Sequence, residues 1–239
     1  MNKDMILLQQ GAKLLDIELD DKQLALFDLY QSELLQWNAK TNLISEKTAG
    51  EIVIRHFLDS LTAAKYIIPC MNSPRPRHVA PPSPVEDRGG TRIVDIGSGG
   101  GFPGIPLKIA LPSLQLYLLE TNRKKVSFLK HIIRTLHLEQ TQTLHDRTEN
   151  IVRENAWRGY FDIVISRASL KLPDLLPLGD YFLAPDGLLI TLKGRDITAE
   201  LEAALKGKNV SQIYQLYQHD ISLPLLGPPR KIIILQKAK

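Results

Sequence analysis

The stretch Ile93-Val94-Asp95-Ile96-Gly97-Ser98-Gly99-Gly100-Gly101-Phe102-Pro103-Gly104 constrains this chain most. An apolar run ends in an acid and passes into glycines. Glycine tolerates positive φ and lets a ligand approach the backbone with no Cβ in the way. Pro103 suits the opening turn of a helix, where amide protons have no intrahelical partner. Strand, glycine turn and helix in that order describe the first unit of a doubly wound α/β fold. Ligands of such folds lie at the carboxyl ends of the strands.

The rest of the chain is consistent with that unit. Strands are predicted at Thr91–Ile96, Leu114–Leu119, Thr141–Leu144, Phe161–Ser166 and Gly187–Lys193. Helices are predicted between them, at about Pro103–Leu111, Asn122–His137, Leu172–Leu183 and Ala199–Leu205. Alternation of this kind implies a mostly parallel sheet covered on both faces. Gln212–Gln218 and Arg230–Gln236 read as a closing strand pair with no helix between them, giving an antiparallel edge.

Upstream, residues 1–67 read as a helical extension. Leu24, Phe27, Tyr30, Leu34 and Trp37 recur at three- and four-residue steps, with Asp20 or Asp21 as N-cap. A further helix covers about Gly50–Ile67. Residues 68–90 are dense in proline and read as a linker or surface loop. Residues 91–239 then form the α/β domain.

Two cofactors compete for the turn. Gly99 to Gly104 fits the dinucleotide pattern G-x-G-x-x-G. The frame Asp95-x-Gly97-x-Gly99-x-Gly101 fits the pattern of S-adenosylmethionine enzymes, in which the acid at the strand end orders the turn. Either cofactor wants an acid after the second strand for the ribose hydroxyls, and Glu120 supplies it. The dinucleotide turn does not require Asp95, so the acid favours S-adenosylmethionine.

Composition removes several classes. The net charge is +4, and it is uneven: residues 1–66 carry 7 Lys+Arg against 10 Asp+Glu, whereas residues 151–239 carry 12 against 9. A mildly basic C-terminal part suits a nucleic-acid substrate and equally an ordinary solvated surface. No apolar run is long enough to span a membrane. The N-terminus lacks the form of a signal peptide, so a cytoplasmic location is expected. A single cysteine, Cys70, excludes an internal disulfide, and the six histidines are scattered, so no metal site is expected.

The missing groups narrow the reaction. Pyrimidine-carbon methylation normally needs a cysteine nucleophile, and Cys70 lies in the Pro-rich stretch. Exocyclic-amine methylation usually uses an Asn/Asp-Pro-Pro-aromatic turn after the fourth strand. Here that position reads Ser166-Arg167-Ala168-Ser169. What remains is an atom that is already nucleophilic. Guanine N7 is one, since its lone pair carries no proton at neutral pH. No general base is then expected, only positioning, with Arg167 the one side chain that could take a catalytic part.

The chain resembles the RsmG (GidB) family of bacterial small-subunit (16S) ribosomal RNA guanine-N7 methyltransferases, from about Leu15 to Lys237. The resemblance rests on Trp37-Asn38 with Asn42-Leu43, His56-Phe57-Leu58-Asp59-Ser60-Leu61, and the turn from Asp95 through Phe102-Pro103-Gly104 to Leu107. Lys124-Lys125 with Phe128-Leu129, Arg147-Thr148-Glu149, Ser166-Arg167-Ala168 and Lys193-Gly194 complete it. It implies a class I, Rossmann-like fold binding S-adenosylmethionine, with Asp95, Gly97, Ser98, Gly99, Gly101 and Phe102 at the turn. It also implies Glu120, Thr121 and Asn122 at the ribose, Thr148 and Glu149 at the adenine, and Arg167 at the methionine end or the incoming base. Arg123, Lys193, Arg230, His56 and Asp59 are the residues expected to meet RNA. The implied partner is 16S ribosomal RNA or a small-subunit assembly intermediate, met by a monomer.

Plainer readings stand beside these. Trp37 reads as a core aromatic. His56 and Asp59, three apart on one helix, can pair with each other. Lysines and arginines on the helix after the second strand can form a solvated face. Two other functions fit part of the sequence: a nicotinamide-dependent oxidoreductase using Gly99–Gly104, and a non-catalytic RNA-binding module.

Overall fold

A computed structural model describes residues 2–72, 89–146, 150–152, 156–167, 170–194, 196–206, 210–225 and 227–238. It begins with helices α1 (Lys3–Lys13) and α2 (Asp21–Thr41). The start of α2 is fixed by a reciprocal cap. Asp20 Oδ1 accepts from the Gln23 amide at 2.7 Å, and Gln23 Oε1 accepts from the Asp20 amide at 3.0 Å. Asn42 in the left-handed region (φ 50°) ends it. The spacing of Leu24, Phe27, Tyr30 and Leu34 buries all four, each worth about 1.5–3 kcal/mol relative to exposure. Phe27→Ala would leave a cavity costing about 3–5 kcal/mol.

After a 3-10 turn, Glu46–Glu51, comes a π-helical turn, Val53–Leu58, leading into α3 (Asp59–Leu61) and α4 (Ala64–Met71). The predicted single helix over 50–67 is therefore broken into pieces. It also runs past residue 67, with Pro69 inside α4. Most of the Pro-rich stretch, residues 73–88, lies outside the described residues.

The sheet follows: β1 (Arg92–Ile96), α5 (Gly104–Ala110), β2 (Gln115–Leu119), α6 (Arg123–Thr135), β3 (Thr141–Leu144), β4 (Phe161–Arg167), α7 (Leu172–Phe182), β5 (Leu183–Lys193), α8 (Thr198–Leu205), α9 (Val210–Ile213), β6 (Tyr214–Ile221) and β7 (Arg230–Lys237). The seven strands are ordered β3-β2-β1-β4-β5-β7-β6. β1 to β5 pair in parallel, and β7 runs antiparallel to both β5 and β6. The closing pair thus lies at the expected edge, and its inner member is the strand that runs against the others. β1 and β2 are buried along their whole length, as strands covered on both faces must be.

Strand order reverses between β1 and β4, which places the ligand crevice at their carboxyl ends. Ser166 Oγ, near the end of β4, donates to the Ile96 carbonyl at the end of β1 at 3.0 Å. The N-terminal helices do not build a core of their own. Leu8, Phe27, Tyr30, Phe57 and Leu61 share one apolar cluster with Ile93, Ile105, Leu116 and Phe128 of the α/β part. Among the described residues, no helix is long and apolar enough to cross a membrane.

Candidate functional site

The turn after β1 is held from both sides. The Gly97 and Ser98 amides donate to the Leu119 carbonyl at 2.9 and 3.2 Å, and the Gly101 and Phe102 amides donate to the Ser98 carbonyl. Ser98 is buried, its Oγ donating to the Asp95 carbonyl at 2.9 Å, so it shapes the turn. Gly97 and Gly99 are the partly open positions, between buried Ser98 and Gly100. A Cβ on Gly99 (φ +56°) would meet nothing nearer than the Gly97 carbonyl at 3.9 Å. A ligand can therefore reach the backbone there.

The other glycines serve packing. A Cβ on Gly101 would strike Ile105 at 2.4 Å and the Tyr30 hydroxyl at 2.8 Å, and one on Gly104 would strike Leu118 and Asp95. The dinucleotide frame needs its second glycine, Gly101, turned to a pyrophosphate. Here that glycine faces protein.

Glu120 follows β2 and is 7% exposed. One carboxylate oxygen accepts from the Gly99 amide at 2.9 Å, the other from the Asn122 amide at 2.8 Å. Each oxygen keeps a lone pair for a further donor. Asp95 is wholly buried. Its Oδ2 accepts from the Gly104 amide at 3.0 Å, and its Oδ1 has no partner. Burial pushes the Asp95 carboxyl up to about 7, against the Gly104 bond, the Arg167 charge and the nearby Ser98 hydroxyl, with Glu120 adding to the rise. An unsatisfied buried oxygen of this kind costs roughly 1–3 kcal/mol unless a donor arrives.

These features fit S-adenosylmethionine. Glu120 could offer its remaining lone pairs to ribose hydroxyls, Gly99 leaves room at the backbone, and Asp95 keeps an orphan acceptor buried behind the turn. Asn122 shapes the rim: its side chain caps α6 through the Lys124 and Lys125 amides, its own amide donates to Glu120 and its carbonyl accepts from the Val126 amide at 2.9 Å. Thr121 is exposed at the rim. Thr148 and Glu149 lie outside the described residues.

Beside the turn stands an arginine-rich wall. Phe102 is buried, and its ring faces Tyr30 (centroids 5.6 Å), His56 (4.9 Å) and Phe57 (6.2 Å). The Arg167 guanidinium lies 4.8 Å from the same ring. Arg167 donates to the Arg55 carbonyl at 3.1 Å, to Asp59 at 3.2 Å and to His56 Nδ1 at 2.8 Å. Arg230 donates to the other Asp59 oxygen at 3.0 Å. A cavity of about 250 Å³ opens here, lined among others by Thr48, Arg55, His56, Arg167, Lys193 and Arg230.

Two sequence expectations change at this wall. His56 and Asp59 are not bonded to each other. Arg167 joins them, bonding to His56 on the π-helical turn and to Asp59 at the start of α3. Lys193 does not project outward: its Nζ donates to the Leu170 carbonyl at 2.5 Å and pairs with Glu200 at 2.6 Å. At 7% exposure, burial favours that internal partner over a solvent-side phosphate. His56 is neutral: burial, then Arg167, Arg230 and Arg55, lower its pKa to about 3. Arg123 is exposed at the start of α6. Trp37 is half-buried and packs against the edge of the core, its ring near Phe128 and His131.

Sequence reasoning missed the part played by Tyr30. Its hydroxyl donates to the Gly100 carbonyl at 2.5 Å from a fully buried position. Its helical spacing gave a buried face and no sign of which backbone the hydroxyl would meet. Among the described residues no cluster of His, Cys, Asp and Glu could hold a metal.

The family model of GidB, rRNA small subunit methyltransferase G, matches residues 23–72 and 79–224. A protein from Syntrophus aciditrophicus named ribosomal RNA small subunit methyltransferase G is 41% identical over 97% of this chain and 89% of its own length. One of the same name from Geotalea uraniireducens is 36% identical over 97% of this chain and 95% of its own. A crystal structure of a candidate O-methyltransferase from Klebsiella pneumoniae superposes with a TM-score of 0.54 at 9% identity. It covers 100% of this chain and 91% of that one. Another, from Agrobacterium tumefaciens, gives 0.52 at 19% identity, covering 66% and 78%. At such identities these two speak to the fold alone.

Proposed function

The chain belongs to the GidB family of rRNA small subunit methyltransferase G and is an S-adenosylmethionine-dependent methyltransferase of class I fold, and on that premise we propose that it methylates N7 of a guanine in 16S ribosomal RNA. Support for the cofactor site comes above all from one observation: the buried, unpartnered Asp95 oxygen lies beside an open glycine turn that Glu120 closes. The cofactor, when bound, supplies an electrophilic methyl group on a sulfonium sulfur.

In this reading Glu120 accepts from the ribose hydroxyls, and Gly97 and Gly99 let the ligand lie against the backbone. Asp95 faces the positively charged methionine end. Guanine N7 brings its own lone pair and loses no proton, so the site needs no base. His56, neutral and bonded on both ring nitrogens to Arg167 and Thr48, is not asked to be one. An arginine forked onto guanine O6 and N7 would cover the reacting lone pair. The arginines of the wall therefore hold phosphate or O6 and leave N7 open. Their own bonds to Asp59 and His56 fix the guanidinium planes before RNA arrives, which is how positioning lowers a barrier.

The substrate is 16S RNA, free or within an assembling small subunit, met in the cytoplasm by a monomer. Residues 1–67, with α4 running on to Met71, act as a helical extension that backs the turn, and 91–239 as the catalytic domain. The test is to map 7-methylguanine in 16S RNA from cells with and without the gene, and to restore it with purified protein and labelled S-adenosylmethionine. A site still methylated in the deletion strain would refute the assignment.

A further inference from the structure

We infer that the exposed stripe Arg123, Lys130 and Arg134 on α6 is a track for the RNA backbone, separate from the arginine wall; it rests on the RNA substrate proposed above. α6 buries Val126, Phe128, Leu129 and Ile132. Arg123, Ser127, Lys130 and Arg134 follow one another at four, three and four residues and are all exposed. At about 100° per residue they share an arc of roughly 60° and span about 16 Å of helix.

The composition of this face is unusual for the molecule. α6 contains no Asp or Glu between Arg123 and Thr135, while α2 mixes Asp21, Lys22, Asp28, Glu33 and Lys40. Among the described ion pairs, none includes Arg123, Lys124, Lys125, Lys130 or Arg134. Glu33, the acid that reaches the helix, is spent on His131 at 2.7 Å. By contrast Arg167, Arg230 and Lys193 are each held by an acid.

Location adds direction. α6 starts three residues after Glu120, so the stripe leaves the rim of the cofactor crevice and runs away from it. A strand that places one base beside the glycine turn can lay flanking phosphates along it. Such contacts position a nucleic acid without reading its sequence.

The test compares wild type with Lys130→Gln/Arg134→Gln and with the triple variant that adds Arg123→Gln. Binding to small-subunit particles is measured across salt, together with melting temperature and S-adenosylmethionine affinity of the double variant. Each lost phosphate contact flattens the log–log salt slope by about 0.7–0.9. The double variant should bind at least about fivefold more weakly at 0.1 M salt, with a slope lower by about 1.5. Its melting temperature and cofactor affinity should be unchanged. Lys130→Arg/Arg134→Lys, which keeps both charges, should bind as wild type does. Unchanged affinity and slope would make the stripe an ordinary solvated face. Equal weakening toward anionic lipid vesicles, with no effect on RNA, would also overturn it. A wild-type protein that binds RNA but transfers no methyl group would sink the functional reading alone, and the slope would still judge the stripe.

Discussion

The two walls that meet at Phe102 are built on opposite terms. On one side, the glycine turn is short-range in sequence, acidic and incompletely bonded: Asp95 keeps a bare oxygen and Glu120 keeps lone pairs. On the other, the arginine wall is assembled from residues up to 171 positions apart. It is basic and cross-bonded, with both Asp59 oxygens occupied. Under the proposed function the open acidic wall would take the cationic cofactor, and the closed basic wall would be set before the anionic substrate arrives. At this site the difference lies in completeness: the acids of the turn keep acceptors unused, whereas the arginines have their geometry fixed by the protein itself.

The largest effect should come from breaking the closed wall. Asp59→Ala leaves two part-buried guanidinium groups without their carboxylate and should cost about 3 kcal/mol in urea unfolding, the low end for breaking a buried pair. A loss under about 1 kcal/mol would mean that the wall is held mainly by His56 and the Arg55 carbonyl.

On the open wall the cost should appear as affinity. Glu120→Gln keeps the shape but removes the charge and turns an NH2 donor toward one of the two backbone amides that the carboxylate accepts, a loss of about 1.5–3 kcal/mol for a bond to a charged group. Calorimetry should give an S-adenosylmethionine Kd at least about tenfold higher, alongside a loss in unfolding smaller than that of Asp59→Ala. If stability falls and affinity does not, the contrast between the walls is wrong.

Acid should weaken cofactor binding next. The Asp95 carboxyl, raised from 3.8 to about 7 in the ligand-free fold, is stabler protonated. The empty protein is therefore most stable below pH 3.8 as far as this group is concerned, and that contribution is lost as pH rises through about 7. A cationic ligand favours the ionised form, so binding releases a proton below pH 7. Affinity should fall about fivefold, roughly 1 kcal/mol, from pH 7 to 6. Titrations in buffers of different ionisation enthalpy check it; a pH-independent Kd would remove Asp95 from the contact.

The smallest effect tests the link between the halves. Tyr30→Phe keeps the ring between Phe57 and Phe102 but deletes the bond to Gly100. About 0.5–1 kcal/mol is expected, read as a two- to fivefold rise in KM for S-adenosylmethionine at constant kcat.

The same contrast explains what the sequence revealed. The glycine turn was legible because its residues are contiguous and each glycine or acid answers a local backbone demand. The mostly parallel sheet with its antiparallel edge followed from alternation, and burial of Leu24, Phe27, Tyr30 and Leu34 from helical spacing. The wall was visible only as separate names. No spacing shows that Arg230 on β7 and Arg167 on β4 will share one carboxylate from α3, or that Lys193 will turn toward Glu200. The π-helical turn was also hidden, because its apolar residues fit an α-helical stripe nearly as well.

The bond from Tyr30 to Gly100 has a thermodynamic consequence. It makes the N-terminal layer and the cofactor loop one linked system, so any partner that shifts α2 changes the loop's free energy. Linkage runs both ways: a ligand that alters the loop is felt in α2 through the same hydroxyl, so the helical layer is part of the loop's energetics although it contributes no glycine to it.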